Sequence, residues 1–267
     1  MKAMFGDHAV LKRFREKSGL AFEPDVKVAN QLFKRVVRSL EFDVAELAIM
    51  TFLLAKVHGK PLRLLPAVLT ARFQHPYLVT SKNLKPKELE GRRVGSRSYS
   101  VTTASWVRGI LAEDYGVDLA KIRWVTFEEP HVAEFRDPPN VERAPEGKDM
   151  NAMLLSGELA AGIVGAVPPA DGPLKPVIED PEAAGQAWKK KNGAIQINHM
   201  VVVKNTVSRA QAQDIYALLQ ESRAAAGNPE MNPFGLEENR RNLQVAIDCL
   251  HRQNMLPRRP SVEELFE

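Results

Sequence analysis

Cysteine is nearly absent from this 267-residue chain: Cys249 stands alone. That excludes an internal disulfide framework and any metal site built on paired thiolates. On the apolar stretch Ala246–Leu250 it reads as core rather than as a nucleophile. The six histidines are scattered, with no His-x-x-x-His pair, so no metal site is expected. Three glycine signatures are also missing: the phosphate-cradling loop that ends in Gly-Lys-Ser/Thr, the Gly-x-Gly-x-x-Gly dinucleotide turn, and the Gly-x-Ser-x-Gly nucleophile elbow. No stretch approaches the roughly 18 uninterrupted apolar residues of a membrane helix. The opening Met1-Lys2-Ala3-Met4-Phe5-Gly6-Asp7-His8 leads into Lys12, Arg13, Arg15 and Glu16 instead of an apolar export signal. The expectation is a cytoplasmic protein with no membrane partner. Charge of one sign is scarce too. The net charge is +4, and the short runs Lys189-Lys190-Lys191 and Arg240-Arg241 read as solvated surface, so no nucleic-acid partner is expected. The small basic excess suits attraction of an acidic ligand.

What is present is ordinary globular material, 44% apolar and 26% charged, in a chain long enough for one large domain or two lobes. Helical spacing runs through Lys27–Val37. Phe42–Glu46 has the look of a buried strand edge. Ile49–Val57 reads as an apolar helix terminated by Gly59. Leu62–Val68 and Tyr77–Thr80 read as strands. Leu84–Leu89 starts a short helix with Pro86 in its first turn. The strand Arg92–Ser96 leads through a polar turn into an amphipathic helix, Thr102–Tyr115, that ends at Gly116. The strand Ile122–Phe127, the helix Lys148–Ser156 and the strand Ala160–Val167 follow. Loops are marked by Pro138-Pro139, Pro168-Pro169 and the segment Pro173 to Pro176. Beyond them lie the strand Ile195–Val203, the long helices Arg209–Ala226 and Leu236–Gln253, and a tail helix, Pro260–Phe266, with a Ser261/Glu264 capping box. This alternation predicts an α/β protein with mainly parallel sheets covered by helices, and ligands at strand carboxyl ends near helix starts. Crossings before Lys82 and after His199 predict a discontinuous lobe, 1–80 plus 200–267, and an inserted lobe, 81–199.

Four segments carry candidate chemistry. In Arg97-Ser98-Tyr99-Ser100-Val101-Thr102-Thr103, a strand gives way to a helix start. Its N–H groups and the hydroxyls of Ser98, Ser100, Thr102 and Thr103 suit an anion, unless one hydroxyl simply caps the helix. Arg108, two turns in, faces either the cleft or solvent. In Arg72-Phe73-Gln74-His75-Pro76, an arginine able to grip a carboxylate lies three residues from a histidine able to move a proton, although a surface loop has the same spacing. Asp43 and Glu46 are either a raised-pKa acid and its neighbour or a capping Asp and a solvated Glu. Asn198-His199 lies at the second crossing and Asp7-His8 after the first strand; each histidine is either a ligand contact or a satisfied core residue.

Taken in order, several motifs resemble the 4,5-dihydroxyphthalate decarboxylase family from about Phe42 to the end of the chain. They are Glu41-Phe42-Asp43-Val44-Ala45-Glu46, Arg72-Phe73-Gln74-His75, Gly91-Arg92-Arg93-Val94-Gly95, Thr102-Thr103-Ala104-Ser105-Trp106-Val107-Arg108-Gly109, Asn198-His199-Met200-Val201, Asn232-Pro233-Phe234-Gly235-Leu236-Glu237-Glu238-Asn239-Arg240 and Val262-Glu263-Glu264-Leu265-Phe266. That family is related to the type II periplasmic binding proteins. The resemblance implies a bilobal type II periplasmic-binding-protein-like fold, with two mixed sheets flanked by helices and an interlobe cleft. It also implies conversion of 4,5-dihydroxyphthalate to protocatechuate and carbon dioxide without an organic cofactor, in phthalate degradation. On this reading Arg72 and the Ser98–Thr103 helix start hold the carboxylates, with Arg108, Asp7 and His8 also among the binding residues. His75 or Glu46 protonates the ring, and His199 takes a catechol hydroxyl. The sequence departs from the family where Ala160 follows Gly157-Glu158-Leu159 in place of Asp, and where His8 follows Asp7 in place of Tyr. A homo-oligomer stays open. So do two alternatives: a non-catalytic solute-binding protein for a small aromatic or carboxylate anion, and an enzyme of the same fold acting on a heteroaromatic acid.

Overall fold

A computed structural model describes residues 1–267. In chain order its regular elements are β1 (Lys2–Met4), α1 (Lys12–Lys17), β2 (Ala21–Phe22), α2 (Phe33–Val37), β3 (Val44–Ala48), α3 (Ile49–Val57), β4 (Leu62–Ala71), β5 (Leu78–Thr80), β6 (Arg93–Ser96) and α4 (Thr102–Tyr115). They continue with β7 (Arg123–Thr126), β8 (Val141–Arg143), α5 (Met150–Ser156), β9 (Ala161–Ile163), β10 (Lys175–Pro176), α6 (Pro181–Asn192), β11 (Ile197–Lys204), α7 (Arg209–Ala225) and α8 (Leu236–Arg252). No helix is long and apolar enough to cross a membrane.

The chain forms two compact units. The first comprises Met1–Arg72, His131–Glu134 and Ala194–Glu267; the second comprises Phe73–Pro130 and Phe135–Gly193. β5 thus belongs to the second unit and the whole of β11 to the first.

The first unit holds a five-stranded sheet of order β2-β1-β3-β11-β4. β1 is parallel to β2 and β3, whereas β11 runs antiparallel to both β3 and β4. β3, expected as a strand edge, is an inner strand with all five residues buried. Alternation sends Val44 of β3 and Val201 and Val203 of β11 to one face. There they join Phe5, Phe14, Leu65, Leu69, Ile215 and Leu219 in a core beneath α1 and α7. α7 begins with a capping box in which Ser208 Oγ accepts from Gln211 N and Gln211 Oε1 accepts from Ser208 N. α3 ends at His58-Gly59, with Gly59 at φ +75°. Lys27–Val37 is less regular than its spacing suggests, a 3-10 turn followed by the five-residue α2.

The second unit holds a six-stranded sheet of order β10-β5-β9-β6-β7-β8. β9, β6, β7 and β8 are parallel, and β5 is antiparallel to its neighbours. The pair Gly95 and Gly162 lies in register across β6 and β9. A Cβ on Gly95 would stand 2.7 Å from Leu159 Cδ1, and one on Gly162 2.9 Å from Leu154 Cδ1. The two glycines therefore let these leucines pack directly onto the sheet. α4 ends at Gly116 with φ +61°, as its sequence indicates.

Candidate functional site

In the first unit, three residues distant in sequence meet at the carboxyl ends of β1 and β3. Val201 of β11 is the register partner of Glu46, and His199 pairs with Ala48. His199 therefore projects on the same face as Glu46, one diagonal step away and within reach of a long side chain. His199 Nδ1 lies 2.5 Å from Glu46 Oε1. From the loop after β1, His8 Nε2 lies 2.8 Å from Glu46 Oε2, and the Gly6 N–H donates to the same oxygen at 2.8 Å. A Cβ on Gly6 would come within 3.2 Å of Glu46 Oε2 and 3.3 Å of His8 Nε2, so a side chain there would crowd the cluster. Glu46 has no solvent exposure, while the side chains of His8 and His199 are 22% and 23% exposed. The cluster thus pairs a sealed carboxylate with two rings that solvent or a ligand can reach.

Burial pushes the Glu46 carboxyl up, but hydrogen bonds from His199 and His8 outweigh it and hold the group well below the ordinary carboxylate range. This overturns the expectation of a raised-pKa acid. Glu46 is a carboxylate and hence only an acceptor, so His199 must present its proton on Nδ1 and His8 on Nε2. The rest of the first-unit surroundings are aromatic and polar. Phe33 meets His199 edge-on with centroids 5.2 Å apart, and His131 on its other contact at 5.6 Å. His131 Nδ1 lies 2.9 Å from Thr51 Oγ1. Thr70, the register partner of His199 across an irregular stretch of β4 and β11, has a buried hydroxyl without a hydrogen-bond partner. Gly6, Phe33, Thr51, Thr70 and His131 were not among the sequence candidates.

Asp43 is not a helix cap. It accepts from the Lys2 backbone N–H at 2.8 Å and pairs with Lys204 at 2.9 Å, tying β1 and β11 to β3. Asp7 is exposed and Asn198 buried. Arg72, half-buried at the end of β4, donates its backbone N–H to Gln196 O at 3.2 Å.

In the second unit, the candidate hydroxyls lie at and before the start of α4. Ser98, Ser100 and Thr102 are buried and Thr103 is half-buried. The residue preceding the helix is Val101, whose side chain makes no capping hydrogen bond. Ser98 Oγ is buried with no hydrogen-bond partner. Arg108 does not face solvent. Its guanidinium has no exposure, stacks 3.6 Å from the Tyr99 ring centroid, and donates to Tyr99 O at 2.7 Å and Ser105 Oγ at 3.3 Å. A buried guanidinium must be hydrogen-bonded, and here it fixes the turn that leads into α4.

His75 also differs from expectation. It is 1% exposed, Nδ1 has no hydrogen-bond partner, and the Phe73 ring lies edge-on 6.4 Å away. Burial lowers its pKa to about 4, against the opposing field of Asp114. At neutral pH it is a neutral imidazole, which does not support the role of ring-protonating acid.

No protein-family model matches the chain. Sequence relatives do. The chain is similar to 4,5-dihydroxyphthalate decarboxylases. It is 28% identical over 194 residues to that of Comamonas testosteroni, covering 67% of this chain and 58% of that protein. It is 29% identical over 173 residues to that of Pseudomonas putida, covering 59% of this chain and 67% of that protein. The chain thus spans less than two thirds of the Comamonas protein. The resemblance carried by the motifs is borne out at this level. The fold is also borne out as type II periplasmic-binding-protein-like. The aliphatic sulphonate binding protein SsuA from Escherichia coli superposes with a TM-score of 0.57 at 11% identity, over 100% of this chain and 96% of that one. The alkanesulfonate-binding protein SsuA from Xanthomonas axonopodis pv. citri gives 0.55 at 14% identity, over 99% and 96% of the two chains.

Proposed function

We propose that this chain is an aromatic carboxy-lyase that converts 4,5-dihydroxyphthalate to protocatechuate and carbon dioxide, or a close catechol dicarboxylate to its monocarboxylate. The similarity to decarboxylases supports the substrate class. The observation that carries the chemistry is the sealed Glu46 carboxylate 2.5 Å from His199 Nδ1. It fixes the ring so that Nε2, the other nitrogen, carries a lone pair. A carboxylate that orients an imidazole and stabilises the imidazolium is a general-base arrangement.

Loss of carbon dioxide from an aromatic ring is slow because the departing electron pair is left in the ring plane. A hydroxyl para to the carboxylate removes that obstacle. His199 Nε2 takes the phenolic proton, and the phenolate pushes electron density onto the carboxylated carbon. That carbon takes up a proton from solvent, the C–C bond breaks, its electron pair restores the aromatic ring, and carbon dioxide leaves. His199 returns its proton to the phenolate oxygen. The balance is one proton consumed per carbon dioxide released. Within the second unit, the start of α4, with the buried and unpartnered Ser98 hydroxyl before it, is by itself suited to an anionic group, which supports an acid as ligand.

The test is incubation of the purified chain with 4,5-dihydroxyphthalate in deuterium oxide. Protocatechuate carrying one ring deuteron at the vacated carbon is the expected product, with turnover lost in His199→Ala. Absence of product overturns the reading. A thermal shift with the same acid but no product would establish the second reading, a solute-binding protein, which the shared fold leaves open.

A further inference from the structure

The mechanism above uses one imidazole, but the carboxylate holds two. His8 lies as close to Glu46 as ordinary hydrogen bonding allows, its side chain is 22% exposed, and no other hydrogen bond engages its ring. A residue that only anchored the loop after β1 would not need a histidine, because the Gly6 N–H already ties that loop to the same oxygen.

We infer that His8 is the second ligand-reading group of this site and that the pair His8 and His199 selects ligands with two adjacent hydroxyls. This rests on the catechol reading above and deepens it. The reasoning follows from proton positions. Glu46 is ionised and accepts on both oxygens, so each neutral ring puts its proton on the nitrogen that faces Glu46. The outward nitrogens, His8 Nδ1 and His199 Nε2, are then both acceptors. Two acceptors fixed from one rigid carboxylate call for two donors on the ligand. A vicinal diphenol supplies them. A monophenol leaves one acceptor unmet, and a phthalate without hydroxyls brings only further acceptors. A site that pairs with a ligand hydroxyl penalises the analogue lacking it. Because both rings keep some solvent, the penalty is modest, about tenfold per missing hydroxyl.

Two measurements test this. Nitrogen-edited NMR of the histidine side chains at alkaline pH, with ring signals assigned by His8→Phe and His199→Phe variants, reads the tautomers without substrate. His8 protonated on Nε2 and His199 on Nδ1 is the expected pattern. His8 protonated on Nδ1 overturns the proposal. Calorimetric binding of 4,5-dihydroxyphthalate and 4-hydroxyphthalate then reads selection. Wild type should prefer the diphenol about tenfold, and His8→Phe should bring the two affinities within about twofold. Binding without that preference, or a preference that survives in His8→Phe, overturns this inference alone. Failure of the wild-type chain to bind either acid overturns both this inference and the proposed function.

Discussion

Replacing His75 with phenylalanine should make the second unit resistant to mild acid. In the folded chain burial holds the imidazole pKa at about 4, while the unfolded chain exposes it at an ordinary value of 6.5. Between those values the unfolded state binds more protons than the folded state, so stability falls as pH falls. The loss begins as pH drops through 6.5 and is complete near pH 4. Each pH unit of separation is worth 1.36 kcal/mol, so His75 alone should withdraw ~3 kcal/mol from the folded state across that window. At pH 7 the ring is neutral in both states and this cost vanishes. Phenylalanine keeps a flat ring, larger by one atom, and removes Nδ1, which has no hydrogen-bond partner. The difference between variant and wild type at pH 7 sets the cost of fitting the larger ring, and from that value the balance should move by ~3 kcal/mol in favour of the variant at pH 4. Trp106, Trp124 and Trp188 are the chain's three tryptophans, and all lie in the second unit with His75. Tryptophan fluorescence in urea titrations at pH 7 and pH 4 consequently reports on the right unit. Equal acid sensitivity of the two proteins would refute the argument. Decarboxylase turnover should also survive the substitution, and its loss would restore His75 to the chemistry.

Thr70→Val should leave the melting temperature unchanged or raise it, since the hydroxyl it removes is buried without a partner; a fall of several degrees in calorimetry would show that the hydroxyl is satisfied. Gly6→Ala should lower turnover about tenfold with little change in melting temperature, because the new methyl would sit 3.2 Å from Glu46 Oε2 and push the carboxylate off its partners; full activity would mean the cluster tolerates displacement. Arg108→Met should cost about 1–3 kcal/mol in urea denaturation, as it strips the Tyr99 carbonyl of its donor and the Tyr99 ring of its cation; no change in stability would refute the positioning role.

Local chemistry was legible where the sequence states it within one turn. α4 occupies the residues its spacing marks, because Gly116 supplies the left-handed stop. The tail forms its expected capping box, with Ser261 N donating to Glu264 Oε1 at 2.9 Å and Glu264 N to Ser261 Oγ at 3.2 Å. Cys249 is buried on α8, as its apolar neighbours indicate. α6 escaped notice although Asp180, Pro181 and Gly193 delimit it, with the Asp180 side chain accepting from Ala183 N. Only Gly185 and Trp188 of its twelve residues are buried, so it lacks the apolar stripe that betrays a helix. β3 was recognisable as a strand but not as an inner one, since neighbours in a sheet are a tertiary fact.

The site was legible by residue type and illegible by partnership. Glu46, His8 and His199 each stood out, yet each kept a bland alternative because no local spacing connects them. Their contacts span 38 and 153 residues. A parallel β1–β3 pairing and an antiparallel β3–β11 pairing bring them together. The assembly then changes what each residue can do. An isolated buried glutamate is expected to be a proton donor, because burial disfavours its charge. Two imidazoles and one backbone N–H reverse that outcome, and the proton-moving role passes to the rings. His75 followed the opposite course. It lies beside Arg72 in a segment that looks catalytic in sequence, but it is buried with Nδ1 unpartnered and its ability to carry a proton at neutral pH is lost. The difference between the two histidine environments is one buried carboxylate, and removing it makes the comparison testable. Glu46→Gln offers one ring an N–H and the other an oxygen, so one histidine must switch its tautomer and lose its outward acceptor. Turnover should fall at least tenfold while the fold is retained by circular dichroism, and an active Glu46→Gln protein would show that the carboxylate does not set the proton positions.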